Sequence, residues 1–212
     1  LSLSELKNRC HLPELDAILE RYFGSLPKES WPDEVALRGP LLFGIAESER
    51  ARLFFEALQG GDFHTAGRLM TVGHDGDRRF RRNGSPFCYD VSDAALEQLE
   101  RQQTPIHWCP GAYGASSAVL DALVDAALDA GALGASLTGA GIGGAVLALC
   151  REETADEVAQ ALRRPLASPD YPALSGRQDP LTLKEIEEAV VDNYATAQAG
   201  EVLLAATPAA HR

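Results

Sequence analysis

A glycine-rich stretch at residues 137–149, LTGAGIGGAVLAL, has the residue types best suited to chemistry in this chain. Its glycines follow one another closely: Gly139, Gly141, Gly143 and Gly144. Glycine backbone reaches φ > 0 and approaches ligands closely, and successive N–H groups in turns form nests that bind anions. Thr138 adds a hydroxyl donor. The spacing alone leaves two interpretations open: a loop that contacts phosphate, or a tight connection packed under a neighbouring segment.

The order of elements around the glycines excludes the two best-known phosphate motifs. We predict a helix at 117–130, a loop at 134–144 and a buried strand at Ala145–Cys150. A dinucleotide fingerprint needs a strand before the glycines and a helix after them. Here the letters G-x-G-x-x-G lead into a strand. A Walker loop is rejected as well, because no Lys-Ser/Thr pair follows the glycines.

Composition and charge narrow the class of protein. The chain has 212 residues, 45% of them apolar, and a formal net charge of −12, which argues against binding to nucleic acid. No apolar run reaches the length of a membrane span, and none is typical of a signal peptide, so we expect a soluble, cytoplasmic protein. Four scattered cysteines form no CxxC pair and predict reduced thiols without a metal site: Cys10, Cys88, Cys109 and Cys150.

Apolar residues at helical spacing predict most of the chain to be α-helical. In the N-terminal half we predict a helix at Leu12–Phe23, a loop at 24–40, and a helical hairpin. The first helix of the hairpin ends at Gly60-Gly61, and Asp62 caps the second, which runs to about Val72. Residues 73–90 are predicted to form a basic, exposed loop, and Ser92 to cap a short helix.

The C-terminal half adds strands to the predicted helices. Thr154 with Glu157 and Thr182 with Glu185 form capping boxes, which predict helices before Pro165 and up to about Tyr194. The proline-rich segment 165–181 is predicted to be a loop, and 201–207 a closing strand. With no regular β-α-β succession, the pattern favours an α+β fold with an antiparallel sheet over a doubly wound parallel sheet.

The glycine stretch and its lead-in, GALGASLTGAGIGGAVLAL, resemble the C-terminal glycine motif of the GHMP kinases. That motif is a glycine, three residues, then Thr-Gly-(Ala/Gly)-Gly-x-Gly-Gly running into a strand. The matching residues are Gly134, Thr138, Gly139, Ala140, Gly141, Gly143 and Gly144. The resemblance implies a ferredoxin-like antiparallel sheet packed with helices. It also implies that the matching residues from Thr138 onward help to shape an ATP triphosphate site, with no catalytic or metal-binding residue in this chain.

Two further segments are similar to the galactokinase branch of that family. Segment 113–128 resembles the lead-in Tyr-Glu-Val-Ser-x-Pro-Glu-Leu-Asp and keeps Tyr113, Ser116, Leu120 and Asp121. Upstream, a helical hairpin that contains Glu47 and Arg50 resembles one ending in Leu-Met-x-x-Ser-His-x-Ser-Leu-Arg-Asp. The residues that match this ending are Leu69, Met70, His74 and Arg78. The chain departs from the pattern at Gly73 and Gly76-Asp77, and a long segment separates His74 from Tyr113, so the substrate stays open.

The resemblance covers roughly residues 38–212 and implies a two-part enzyme. We expect 1–37 to be an N-terminal helix and linker, and 38–212 to be a GHMP kinase C-terminal domain with an insertion at about 75–110. The Gly-Leu-Gly-Ser-Ser phosphate loop, catalytic Asp and most sugar contacts of the family belong to an N-terminal half, and these motifs do not occur here. With no initiator Met, the chain is interpreted as the C-terminal half of a longer kinase.

The expected partners follow from that division. ATP and Mg²⁺ would be bound together with the missing half, and the small-molecule sugar would be phosphorylated there. We expect an apolar face where the N-terminal half sits, and this face could support self-association. Charged residues before Tyr113 are given modest roles: His74 structural or loop-ordering, and the arginines at 78–82 solvated or screening phosphate. Asp121 is expected to compensate a helix dipole.

Three alternatives remain at this level. The acceptor could be a different small alcohol in another GHMP branch. The chain could belong to a kinase-derived module that binds sugar and ATP to regulate a partner and has lost turnover. A purely structural domain is disfavoured by the length of the glycine match.

Overall fold

The computed structural model describes residues 14–31, 34–139 and 145–188. Its helices are α1 (Leu15–Phe23), α2 (Arg38–Gln59), α3 (Phe63–Asp77), α4 (Asp93–Arg101), α5 (Ala118–Asp129), α6 (Ala155–Ala167), α7 (Tyr171–Ser175) and α8 (Leu183–Glu188). Its strands are β1 (Gly134–Thr138) and β2 (Ala145–Leu149). Three short 3₁₀ turns lie at Lys28–Ser30, Ile106–Trp108 and Glu152–Thr154. The architecture is the mixed α+β type predicted from the sequence.

The two strands form an antiparallel pair, with Gly134 opposite Leu149 and Thr138 opposite Ala145. One face of this sheet packs on α5 and α6. Val124, Ala127, Ala135 and Val158 are the buried centre of that core. The alternation of side chains along a strand puts Leu147 on the opposite face, where it is 56% exposed. Among the described residues, this second face is therefore open around Leu147, whereas α3 packs against it at Gly134.

Helices α2 and α3 form the predicted hairpin, and α3 also packs along β1. The carboxylate of Asp62 caps α3 by accepting a hydrogen bond from the Thr65 amide at 3.0 Å. Ser92 and Ser117 cap α4 and α5 through the same kind of bond. These bonds confirm the caps predicted at Asp62 and Ser92 and the start of the helix predicted at 117–130.

Two helices in the N-terminal half are longer than predicted. Helix α2 begins at Arg38, inside the predicted loop 24–40, because a proline in the first turn, Pro40, loses no intrahelical amide bond. Helix α3 continues to Asp77, so the predicted loop 73–90 is wrong over 73–77. Gly73 and Gly76 look like helix breakers, but each lies where α2 comes close: an added Cβ would meet Glu47 at the first and Phe43 at the second. Packing overrides their weak helix propensity.

The C-terminal part also differs from the prediction. Thr154 does not cap α6, because its hydroxyl donates to the Arg151 carbonyl instead. Helix α6 passes through Pro165 to Ala167, and α7 lies within the predicted loop 165–181. By contrast, the capping box of Thr182 and Glu185 is present with both of its bonds. The later turns of that helix and the predicted strand 201–207 lie outside the described residues.

Candidate functional site

The glycine stretch is the connection of a β-hairpin. Thr138 and Ala145 form the last pair of the two strands before the connection, so residues 139–144 join β1 to β2. The predicted loop at 134–144 is therefore wrong for residues 134–138, which form β1. Gly134 suggested a loop, but it lies in the strand where α3 comes closest. The order strand, glycines, strand still excludes a dinucleotide fingerprint, which needs a helix after the glycines.

Two of the six predicted nucleotide-contacting residues lie in the described part of the chain. Thr138 is exposed at the end of β1, and its hydroxyl makes no hydrogen bond within that part. Gly139 follows with a φ of 82°, in the left-handed region that favours glycine. Ala140, Gly141, Gly143 and Gly144 lie outside the described residues. Thr138 thus presents an exposed hydroxyl next to a glycine in the left-handed region.

Helix α3 and strand β1 meet backbone to backbone. A Cβ added to Gly67 would overlap the carbonyl of Leu133 and the amide of Gly134. A Cβ added to Gly134 would overlap the main chain of Gly67 in turn. The two glycines therefore permit a contact that no side chain would allow, and this contact fixes where β1 begins.

His74 and Asp121 form a buried pair beside β1. His74 is fully buried and Asp121 is 2% exposed, with 3.2 Å between His74 Nε2 and Asp121 Oδ1. Neither of these two atoms has a well-aligned hydrogen bond within the described residues, so each relies on the other to offset its burial. The remaining His74 nitrogen, Nδ1, accepts a long hydrogen bond of 3.4 Å from the Leu137 amide. This complete burial fits the ordering role predicted for His74.

Asp121 does more than compensate the dipole of α5. Its Oδ2 accepts hydrogen bonds from the amides of Arg79 and Phe80, at 3.1 and 2.8 Å. Burial acts to raise the pKa of this carboxyl, but His74, the Ser116 hydroxyl and the two amides outweigh burial and lower the pKa. Asp121 is therefore an ionised anchor for the chain that leaves α3. Its place in the first turn of α5 gave no sign of this role, because the partners are distant in sequence.

The arginines after α3 divide into two groups. Arg78 makes a bidentate ion pair with Asp125, at 2.8 and 3.1 Å, and both side chains are nearly buried. Arg82 pairs with Asp129 at the surface. Arg79 and Arg81 have no carboxylate partner in the described part of the chain. The interpretation of a wholly solvated basic loop is therefore wrong for Arg78, which α5 holds in place.

A second buried charge cluster joins α2 to the segment before α5. Arg50 is 2% exposed; its Nε donates to Glu47 at 2.7 Å and its Nη1 to the carbonyl of Cys109 at 2.9 Å. Asp77 is 7% exposed, and burial raises its pKa to about 6. The Ser116 amide donates to the Asp77 carbonyl, which brings the two ends of the intervening segment together. The sequence singled out Glu47 and Arg50 only through the resemblance.

The described residues form no preformed metal-binding site. No group of three or more His, Cys, Asp or Glu side chains among them could hold a metal ion. Three described cysteines, Cys88, Cys109 and Cys150, are free thiols. In the same part of the chain, no helix has the length and apolar character needed to cross a membrane.

Comparison with known proteins identifies the domain around the hairpin. Residues 102–168 match the family described as GHMP kinases C terminal. The chain is also 32% identical over 133 residues to the galactokinases of Mycobacterium tuberculosis H37Rv and Mycobacterium bovis BCG. That alignment includes 62% of this chain and spans 28% of the length of each galactokinase. Residues 102–168 therefore match a GHMP kinase C-terminal domain, and the chain is similar to galactokinases.

Proposed function

We propose that this chain is the C-terminal half of a galactokinase-like kinase that phosphorylates a sugar hydroxyl with ATP. The observation that carries the proposal is the family match over residues 102–168, which includes the hairpin whose connection is the glycine run. The likeness to galactokinases supports a sugar as the acceptor.

The part assigned to this chain is to position the phosphates. Phosphoryl transfer depends mainly on positioning and charge stabilisation, so a rigid set of main-chain donors suits it. Thr138 and Gly139 stand exposed at one end of the hairpin connection. Ala140, Gly141, Gly143 and Gly144 would complete the contact. ATP, when bound, supplies the phosphoryl group. The described residues hold no ligand set for Mg²⁺, so we assign its coordination to ATP and the other half.

The domain boundaries predicted from the sequence form part of the proposal. Residues 38–212 would be the kinase domain, with 1–37 as a helix and linker that continue from the N-terminal half. The insertion at about 75–110 is supported by the way the chain departs and returns at one place. The Gly76 carbonyl accepts from the Tyr113 amide at 2.8 Å, and the Asp77 carbonyl from the Ser116 amide at 2.9 Å.

An apolar stripe on α2 supports a companion half. Leu37, Leu41 and Ile45 follow one another at one-turn spacing and are 44%, 65% and 54% exposed. Tyr113, stacked on Phe43, is 57% exposed. Exposed apolar residues that cluster in this way are typical of a protein–protein contact. We assign this stripe and the open face of the sheet to the contact with the N-terminal half.

The proposal is tested by enzymology on two proteins. The first is the product of the longest open reading frame that contains this chain, and the second is the 212-residue chain. ADP release is followed with ATP, Mg²⁺ and a panel of sugars that includes galactose. We expect sugar-dependent ADP release from the longer product and none from the chain alone. Nucleotide binding without sugar phosphorylation by the longer product would instead indicate the regulatory module, and turnover by the 212-residue chain would refute the division into halves.

A further inference from the structure

Helix α3 lies along the free edge of β1, where a third strand would otherwise pair. Contacts occur in register at three levels: Gly67 with Gly134, Thr71 with Ala135, and His74 with Leu137. From Gly67 to His74 a helix rises about 10.5 Å, and from Gly134 to Leu137 a strand advances about 10 Å. The helix and the strand therefore run side by side in the same direction, and neither drifts away from the other.

Side chains of α3 take the place of strand carbonyls along this edge. The Ala135 amide donates to Thr71 Oγ1, and the Leu137 amide donates to His74 Nδ1, each at 3.4 Å. Alternate amides of a strand point to the same side, so residues 135 and 137 are the two whose N–H groups face the helix. The second of these bonds is made one residue before Thr138.

The chemistry of the imidazole defines its tautomer. An amide can only donate, so Nδ1 must carry the lone pair and Nε2 the proton. Nε2 lies 3.2 Å from Asp121 Oδ1, a carboxylate whose pKa is lowered. His74 thus connects a fixed anion on α5 to the last amide of β1 before the hairpin connection. A catalytic role would need contact with substrate, which a fully buried side chain does not make.

We infer that His74 is a positioning residue, whose Nδ1 holds the end of β1 and thereby orients Thr138 toward bound nucleotide. Positioning of the strand end stands on the contacts above, while the consequence for nucleotide rests on the proposed function. Asp121 sets the orientation of the ring through Nε2. The Gly67–Gly134 contact fixes the start of the strand, and His74 fixes its end.

Two substitutions at His74 distinguish the role of Nδ1 from the role of Nε2. In His74→Asn the amide oxygen occupies the place of Nδ1 and can still accept from Leu137, while contact with Asp121 is lost. In His74→Gln the longer amide reaches the place of Nε2 and leaves the Leu137 amide without an acceptor. Thr71→Val is the matched control, because it removes the acceptor of Ala135 on the same edge but farther from Thr138.

The first measurement is amide hydrogen exchange by NMR on the 212-residue chain, corrected for global stability from urea unfolding. We expect His74→Gln to speed exchange of the Leu137 amide at least tenfold beyond the global effect, and His74→Asn to restore most of the protection. Thr71→Val should speed exchange at Ala135 and leave Leu137 unchanged. The imidazole ¹⁵N shifts of the unsubstituted chain should report a protonated Nε2. Equal effects of the Asn and Gln variants on Leu137, or a protonated Nδ1, would overturn the inference.

The second measurement uses the longer gene product with MgATP and the sugar it accepts. We expect His74→Gln to raise the KM for ATP about tenfold, with the KM for sugar unchanged and His74→Asn near the parent enzyme. If the KM for both substrates rises equally in the two variants, His74 has only a structural role. If the parent enzyme has no kinase activity, the proposed function fails, while the exchange of Leu137 still decides whether His74 positions the strand.

Discussion

Replacement of Gly67 by alanine perturbs the contact between α3 and β1 at its tightest point. An alanine Cβ would overlap the carbonyl of Leu133, whereas an ordinary Cβ contact begins at 3.4 Å. The atoms that this Cβ would meet belong to the main chain of Leu133 and Gly134 and cannot rotate away, so α3 and β1 must separate by about 1 Å. That separation also weakens the Thr71 and His74 bonds to β1, which are already 3.4 Å long.

The expected magnitude follows from three contributions. Overpacking costs about 1–3 kcal/mol. Two weakened hydrogen bonds cost about 0.5–1.5 kcal/mol each. Alanine in place of glycine inside a helix stabilises the folded state by about 1 kcal/mol through its higher helix propensity. The net is a loss of about 3 kcal/mol in the free energy of unfolding. For a chain of this size each kcal/mol shifts the Tm by about 2–4 °C, so we expect a fall of about 6–12 °C.

A matched control has the opposite sign. Gly44 lies inside α2, is exposed, and an added Cβ there meets nothing within 4 Å. Gly44→Ala should therefore raise stability by about 1 kcal/mol through helix propensity alone. Both variants are measured by urea unfolding and by thermal melting followed by circular dichroism. Should Gly67→Ala prove neutral or stabilising, like Gly44→Ala, the close approach of α3 to β1 would be refuted.

Three further outcomes are expected. Burial raises the pKa of Asp77 to about 6 from 3.8, so the folded state binds the proton more tightly and the free energy of unfolding falls as pH rises between these values. Asp77→Asn should remove this pH dependence and stabilise the chain at pH 7 by at most about 3 kcal/mol. An unchanged pH dependence of urea unfolding between pH 4 and 7 would contradict the assignment. Arg78→Ala should cost at most about 3–5 kcal/mol, because it removes the bidentate partner of the nearly buried Asp125 and leaves only Arg82, 3.9 Å away, near this carboxylate. Part of the loss should be recovered in the double variant with Asp125→Ala, and a double-mutant cycle without coupling would argue against the pair. Arg82→Ala at the surface should cost less than about 1 kcal/mol. Leu41→Gln should change the Tm of the chain by less than about 2 °C, because the side chain is 65% exposed, yet it should lower the activity of the longer gene product. A large fall in Tm would show that Leu41 belongs to the core.

Sequence pattern alone determined features that depend on neighbours in the chain. The starts of α3 and α4 followed from Asp62 and Ser92, because a cap bonds an amide three residues away. The glycine run and its following strand were likewise visible in the letters, and with them the resemblance to the GHMP kinases. Each of these signals acts over a few residues, so it can be recognised without knowledge of the tertiary contacts.

Tertiary structure alone decided which glycines interrupt an element and which permit a close contact. Gly67 and Gly76 remain in a helix, and Gly134 in a strand, because main chain or a ring from elsewhere occupies the place of a side chain. The partnership of His74, Asp121 and Leu137 joins three elements through buried polar atoms that are far apart in sequence. Local propensity cannot predict such contacts, since their free energy arises from burial and pairing that exist only after the elements have packed.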